Sequence, residues 1–185
     1  MNKEEIRMGM EKAFQNAKEL FEEGILLKRY GKICRAFYLF HMATEECAKV
    51  EILSAEFSRY SWKPNKVDTD PKELIKQFNH IEQNKIIAPG EGFSKEEIDA
   101  YRKGDNELFL KEFEKTKTNY HNGINKLKNA SLYVQIENNQ FKGPGETISE
   151  EIMIKEMEKA EKWLRMMDLI VRSVLQMDLN HFGTA

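Results

Sequence analysis

Proline, glycine and cysteine are all scarce in this chain, with 4, 10 and 2 among 185 residues. Few prolines and glycines leave room for long uninterrupted helices and argue against a β-rich fold, which needs such residues at its many turns. The two cysteines, Cys34 and Cys47, fall in one helical pattern, where a rise of about 1.5 Å per residue holds them roughly 20 Å apart. They cannot pair with each other. No window of about 18 apolar residues occurs that would span a bilayer, and the N-terminal residues lack the basic-then-apolar order of a secretory signal. The expected compartment is the reducing cytoplasm, which low cysteine use fits. A strong charge of one sign is missing too. Lys and Arg number 29 against 31 Asp and Glu, so no global field draws the chain onto nucleic acid or an anionic membrane. Gly-x-Ser-x-Gly, phosphate-binding glycine loops and the Rossmann fingerprint are absent, which removes the common hydrolase and nucleotide-fold mechanisms.

What is present is apolar sequence at helical spacing. Ile6, Met10, Ala13, Phe14, Ala17, Leu20, Phe21, Ile25 and Leu26 form one stripe, predicting a helix from about Lys3 to Arg29. Gly31 punctuates, and a second helix follows from about Lys32 to Arg59, the most apolar stretch of the chain, stopped before Pro64. Asp70-Pro71 offers an N-cap and a first-turn proline for a third helix to about Ile87. Ser94 and Glu97 have capping-box spacing and open a helical region to about Lys128, with Gly104 as a candidate break. Tyr133 to Ile136 reads as a short extended piece. Asn138-Asn139 and Gly143-Pro144-Gly145 read as loop, and Ser149 restarts a helix to about Met177. The expectation is one all-α domain spanning residues 1–185, an up-and-down bundle of about five helices.

The chemistry-bearing residues are few. His41, Glu45 and Glu46 have near-ligand spacing, but none of the 4 histidines follows a Glu by three residues, as a helical di-metal site requires. No metal and no cofactor are expected. Glu45, Glu46 and Lys49 interrupt a run of Ala, Phe, Leu and Val, and two readings stand side by side: a surface Glu45–Lys49 pair at i, i+4, or a buried polar network joined by another helix. The second helix is apolar around much of its circumference, and the last offers Trp163, Met166, Met167, Ile170, Val174 and Met177. That surplus predicts a homodimer.

The segment from Arg35 to Lys49, with its Ala36, Leu39, Ala43, Glu45-Glu46 and Lys49, resembles the Ala-x-x-Leu-x-x-x-Ala-x-Glu-Glu-x-x-Lys signature of the AbiV family of phage abortive-infection proteins, members of the HEPN group of helical domains. His80 and Lys85 resemble the family's His-x-x-x-x-Lys stretch, and Lys128 to Val134 resembles its basic-x-x-x-Leu-Tyr-Val segment, followed by a proline-containing loop and a last helix. The resemblance implies a HEPN-like bundle acting in antiphage defence, as a homodimer that binds RNA or a phage-encoded protein, away from membranes. HEPN ribonucleases carry Arg and His four to six residues apart, the Arg at the phosphate and the His in proton transfer to and from the 2′-hydroxyl. The equivalent place here holds Lys128, Asn129 and Tyr133. Lysine replaces arginine only as a point charge, and tyrosine ordinarily titrates near 10, so the motif departs from an efficient catalyst. The resemblance implies His80, Lys128 and Tyr133 as the catalytic candidates of a metal-independent endoribonuclease, with Glu45, Glu46, Lys49, Lys85 and Asn129 as a binding or structural network. Arg35 and His41 also have the literal spacing, but in the second helix, where a chance match is the simpler reading.

Overall fold

The computed structural model describes residues 1–62, 68–79, 83, 86–87 and 94–182. Helix α1 (Lys3–Arg29) starts with a reciprocal cap: the Asn2 side chain accepts from the Glu5 N–H at 2.9 Å, and the Glu5 carboxylate accepts from the Asn2 N–H at 2.7 Å. It ends at Tyr30, and Gly31 turns the chain at φ +68°, a left-handed conformation that glycine adopts without strain. Helix α2 (Ile33–Trp62) then runs back along α1. The two approach closely at Gly24, where a β-carbon would lie 2.6 Å from Cε1 of the buried Phe40 ring.

Helix α3 (Pro71–Gln77) has the expected Asp70 cap and first-turn proline but stops at Gln77, with Phe78 as its C-cap, well short of Ile87. Helices α4 (Lys95–Arg102) and α5 (Asn106–Leu132) divide the region after Ser94, and the break is at Gly104, φ +69°. The extended piece after Tyr133 is half of a hairpin. Strands β1 (Gln135–Glu137) and β2 (Gln140–Lys142) pair antiparallel around Asn138 and Asn139, both at positive φ, the backbone of a two-residue turn that asparagine tolerates. A single turn, α6 (Pro144–Thr147), precedes α7 (Glu150–Phe182). The fold is all-α, as expected. The described residues form seven helices rather than five, the excess coming from the break at Gly104 and the turn at Pro144.

Helix α2 is central. It packs on α1, on α7 and on α5, while α4 packs on α5. Apolar burial falls into two clusters, one around Phe37, Phe40, Ile124 and Met153 and the other around Cys47, Leu53, Phe57, Trp163 and Met167. This answers the expectation of surplus surface: the apolar circumference of α2 is consumed within the chain, and Trp163, Met167 and Val174 are core. Of the residues named for a dimer face, Met166 is exposed, whereas the side chain of Met177 lies outside the described residues. No described helix is long and apolar enough to cross a membrane.

Candidate functional site

Between the two apolar clusters lies a layer of charge. His41 and Glu45 are one turn apart on α2, Glu156 and Lys159 one turn apart on α7, and Tyr120 and Lys128 two turns apart on α5, so each helix presents its pair to the same interior region. The His41 Nδ1 lies 2.8 Å from Glu156 Oε1, and its Nε2 lies 3.2 Å from Glu45 Oε1. That second approach is oblique, an ion-pair distance without a straight hydrogen bond. The Lys128 ammonium donates to both Glu45 oxygens, at 3.0 and 3.4 Å. Lys159 Nζ sits 2.5 Å from Glu156 Oε2 and donates to the Tyr120 hydroxyl at 2.8 Å. His41 is fully buried, and Lys128 only 8% exposed. Ionic groups this far from water persist only when paired and hydrogen-bonded.

The electrostatics follow from the geometry. Burial raises the cost of ionising Glu45, but His41 and Lys128 outweigh it and hold the carboxyl down at about 2. Glu156 is likewise opposed by burial and lowered by His41 and Lys159. Burial works against the His41 cation, yet the bonds and charges of Glu156 and Glu45 raise its pKa. Lys159 is raised in the same way by Glu156 and Tyr120 against its own burial.

Of the two readings of Glu45, Glu46 and Lys49, the buried network describes Glu45. The Glu45–Lys49 surface pair does not form; Lys49 pairs with Glu46 instead, on the side of α2 toward α1 and α3. Glu46 is buried and Lys49 half-buried, and both line a cleft with Leu74 and Phe78 of the third-helix region. Asn129 is exposed, and Tyr133, the C-cap of α5, is 62% exposed, with its N–H on the Asn129 carbonyl at 3.0 Å. Tyr38 links the surface to the layer: burial first, then the charges of Glu45 and Tyr133, raise its phenol. Beyond Tyr133 the hairpin turns its apolar cross-strand pair outward, Ile136 at 68% and Phe141 at 77% exposure. Its Glu137 binds both Lys126 (2.9 Å) and Lys142 (3.1 Å). His80 and Lys85 lie outside the described residues.

Structure therefore brings Lys128 to Glu45, joins to them His41, which its sequence spacing alone did not single out, and adds three residues that sequence reasoning missed: Tyr120, Glu156 and Lys159. One signal was available. On α7 the stripe Met153, Glu156, Ala160, Trp163, Met167 puts a glutamate at a core position, and on α5 Lys128 lies in register with the buried Ile124 and Ser131. Among the described residues no group of three or more His, Cys, Asp and Glu is arranged to hold a metal ion.

The sequence matches the HEPN_AbiV family model, described as AbiV, over residues 5–165, a span that contains every member of the buried layer. No curated protein and no solved structure matches the chain.

Proposed function

Because this chain belongs to the AbiV family of abortive-infection proteins, we propose that it acts in antiphage defence as a cytoplasmic homodimer whose surface around Asn129, Tyr133 and the hairpin binds a phage-encoded protein without cutting RNA. The observation that carries this reading is the burial of Lys128. A metal-free ribonuclease needs a cation at the scissile phosphate and a proton-transfer group beside the 2′-hydroxyl. Lys128 instead holds Glu45 inside the bundle. The neighbouring lysines Lys126 and Lys142 share Glu137, whose carboxylate offsets their charge toward a phosphate backbone. What the surface offers is exposed Tyr133, Val134, Ile136 and Phe141, aromatic and aliphatic anchors of the kind that protein interfaces bury.

The test compares wild type with the double variant Ile136→Asp, Phe141→Asp, which charges the outward cross-strand pair of the hairpin and leaves the buried core untouched. Affinity capture from infected and uninfected cells, read by mass spectrometry, is expected to yield a phage-encoded protein from infected cells only. The double variant is expected to lose both that protein and phage resistance. The opposite outcome is cleavage of total RNA by purified protein without added metal, together with loss of resistance in His80→Ala; that establishes the endoribonuclease reading. Light scattering at micromolar concentration checks the dimer, which should show twice the 21.7 kDa of one chain.

A further inference from the structure

His41 cannot touch any partner, yet it stands where three helices meet. Its ring faces Glu45 on its own helix and Glu156 on α7. Behind Glu45 stands Lys128 of α5, and behind Glu156 stands Lys159 of α7, itself bonded to Tyr120 of α5. Tyr38 interacts with Glu45 from the surface side. These charged and titratable groups surround the imidazole.

A neutral imidazole has one N–H and one lone pair. If Nδ1 keeps the proton for Glu156 at 2.8 Å, a neutral ring sets the Nε2 lone pair 3.2 Å from Glu45 Oε1, two acceptors in contact in a dry interior. Glu45 has no proton to lend, since the Lys128 ammonium sits 3.0 Å from that same oxygen and holds the carboxylate ionised. The doubly protonated ring removes that contact between lone pairs and sets a cation between two carboxylates, an attraction that the oblique approach to Glu45 still allows. We propose that His41 is a positioning residue for the Asn129–Tyr133 surface, a buried imidazolium that holds Glu45 to Glu156 and, through Glu45, fixes Lys128 and the end of α5. Tyr133 lies five residues beyond Lys128 and caps the same helix, so release of Lys128 frees the segment that presents it. The raised pKa of His41 agrees in direction. The assignment of that surface as a binding site rests on the function proposed above; the protonation state of His41 does not.

The experiment is nitrogen-15 NMR of the full chain, following the His41 ring nitrogens and the backbone amides of Asn129 and Val134 as pH rises from about 6 upward. The expected result is two protonated ring nitrogens at neutral pH and one transition at a pH above the ordinary histidine value of about 6.5. The two amide signals should move with the same midpoint. In His41→Gln, which keeps a donor but no charge, the amide transition should vanish while the protein stays folded at neutral pH. A singly protonated ring at neutral pH, or amide signals that ignore the His41 transition, overturns the proposal. If His41→Gln fails to fold, the wild-type titration decides alone. A failed search for a phage partner leaves these signals unchanged, so the two readings fail separately.

Discussion

Helix α2 meets α1 largely by shape, whereas toward α5 and α7 its apolar contacts are interrupted by a layer of charge. Toward α1 there is a glycine, Gly24, against the face of Phe40, and Phe21 tilted on the same ring at 5.3 Å between centroids. Toward α5 and α7 there are two carboxylates, a histidine and two lysines. The first contact depends on volume and ignores pH; the second depends on protonation and tolerates little truncation. One helix thus carries both solutions to burial, and the ionic one demands partners from sites far apart in sequence.

The largest effect is expected from Glu45→Ala, which strands Lys128 and His41 together in the interior. Loss of one partner from a buried ion network costs about 3–5 kcal/mol, read from denaturant unfolding. Gly24→Ala attacks the shape contact. The new methyl meets the Phe40 ring inside van der Waals distance, and overpacking should cost about 1–3 kcal/mol despite the better helix propensity of alanine. Gly123→Ala is its control on α5: nothing lies within 4 Å of a β-carbon there, and stability should rise by about 0.5–1 kcal/mol. Glu46→Ala, whose partner Lys49 is half in water, should cost about 1 kcal/mol, less than its neighbour Glu45. A Glu45→Ala protein as stable as Glu46→Ala would erase the distinction between the two flanks.

Titration sharpens the same contrast. Glu45 is lowered from 4.5 to about 2 in the fold, so the unfolded chain binds the extra proton between those values. The contribution of Glu45 is complete above about pH 4.5 and is lost as pH falls through about 2. His41 is raised, so its contribution is complete below the ordinary value of about 6.5 and is lost as pH climbs through the folded pKa. The Glu45→Ala variant should flatten the acid limb, and Gly24→Ala should shift the whole curve without changing its form. Midpoints of thermal unfolding across pH check both.

Much of the fold was legible because helix signals are local. Asn2, Asp70, Ser94 and Gly31 announce their ends through cap and turn chemistry, and the break at Gly104 follows from a glycine between polar residues. The end of α3 at Gln77 and the second strand of the hairpin were not legible, since neither carries a stop signal or an apolar alternation long enough to read. The site divides likewise. Glu45, Glu46 and Lys49 stand out as charges in an apolar helix, but their partners cannot be named from one segment. Lys49 takes Glu46 rather than Glu45 because Lys128 and His41, brought in by tertiary packing, already claim Glu45. His41 was discounted as a chance spacing with Arg35, and its burial between two carboxylates became visible only once α7 was placed beside α2.

The order in which the chain leaves the ribosome bears on the ionic layer. Glu45 waits 83 residues for Lys128, and His41 waits 115 for Glu156. The α1–α2 hairpin, by contrast, is joined by the short turn at Gly31 and can close as soon as it emerges. Until the helices that carry Lys128 and Glu156 are made, Glu45 and His41 of the hairpin lack these two partners. Substitutions in the layer should therefore accelerate unfolding more than they slow folding, leaving the native protein shorter-lived rather than slower to form.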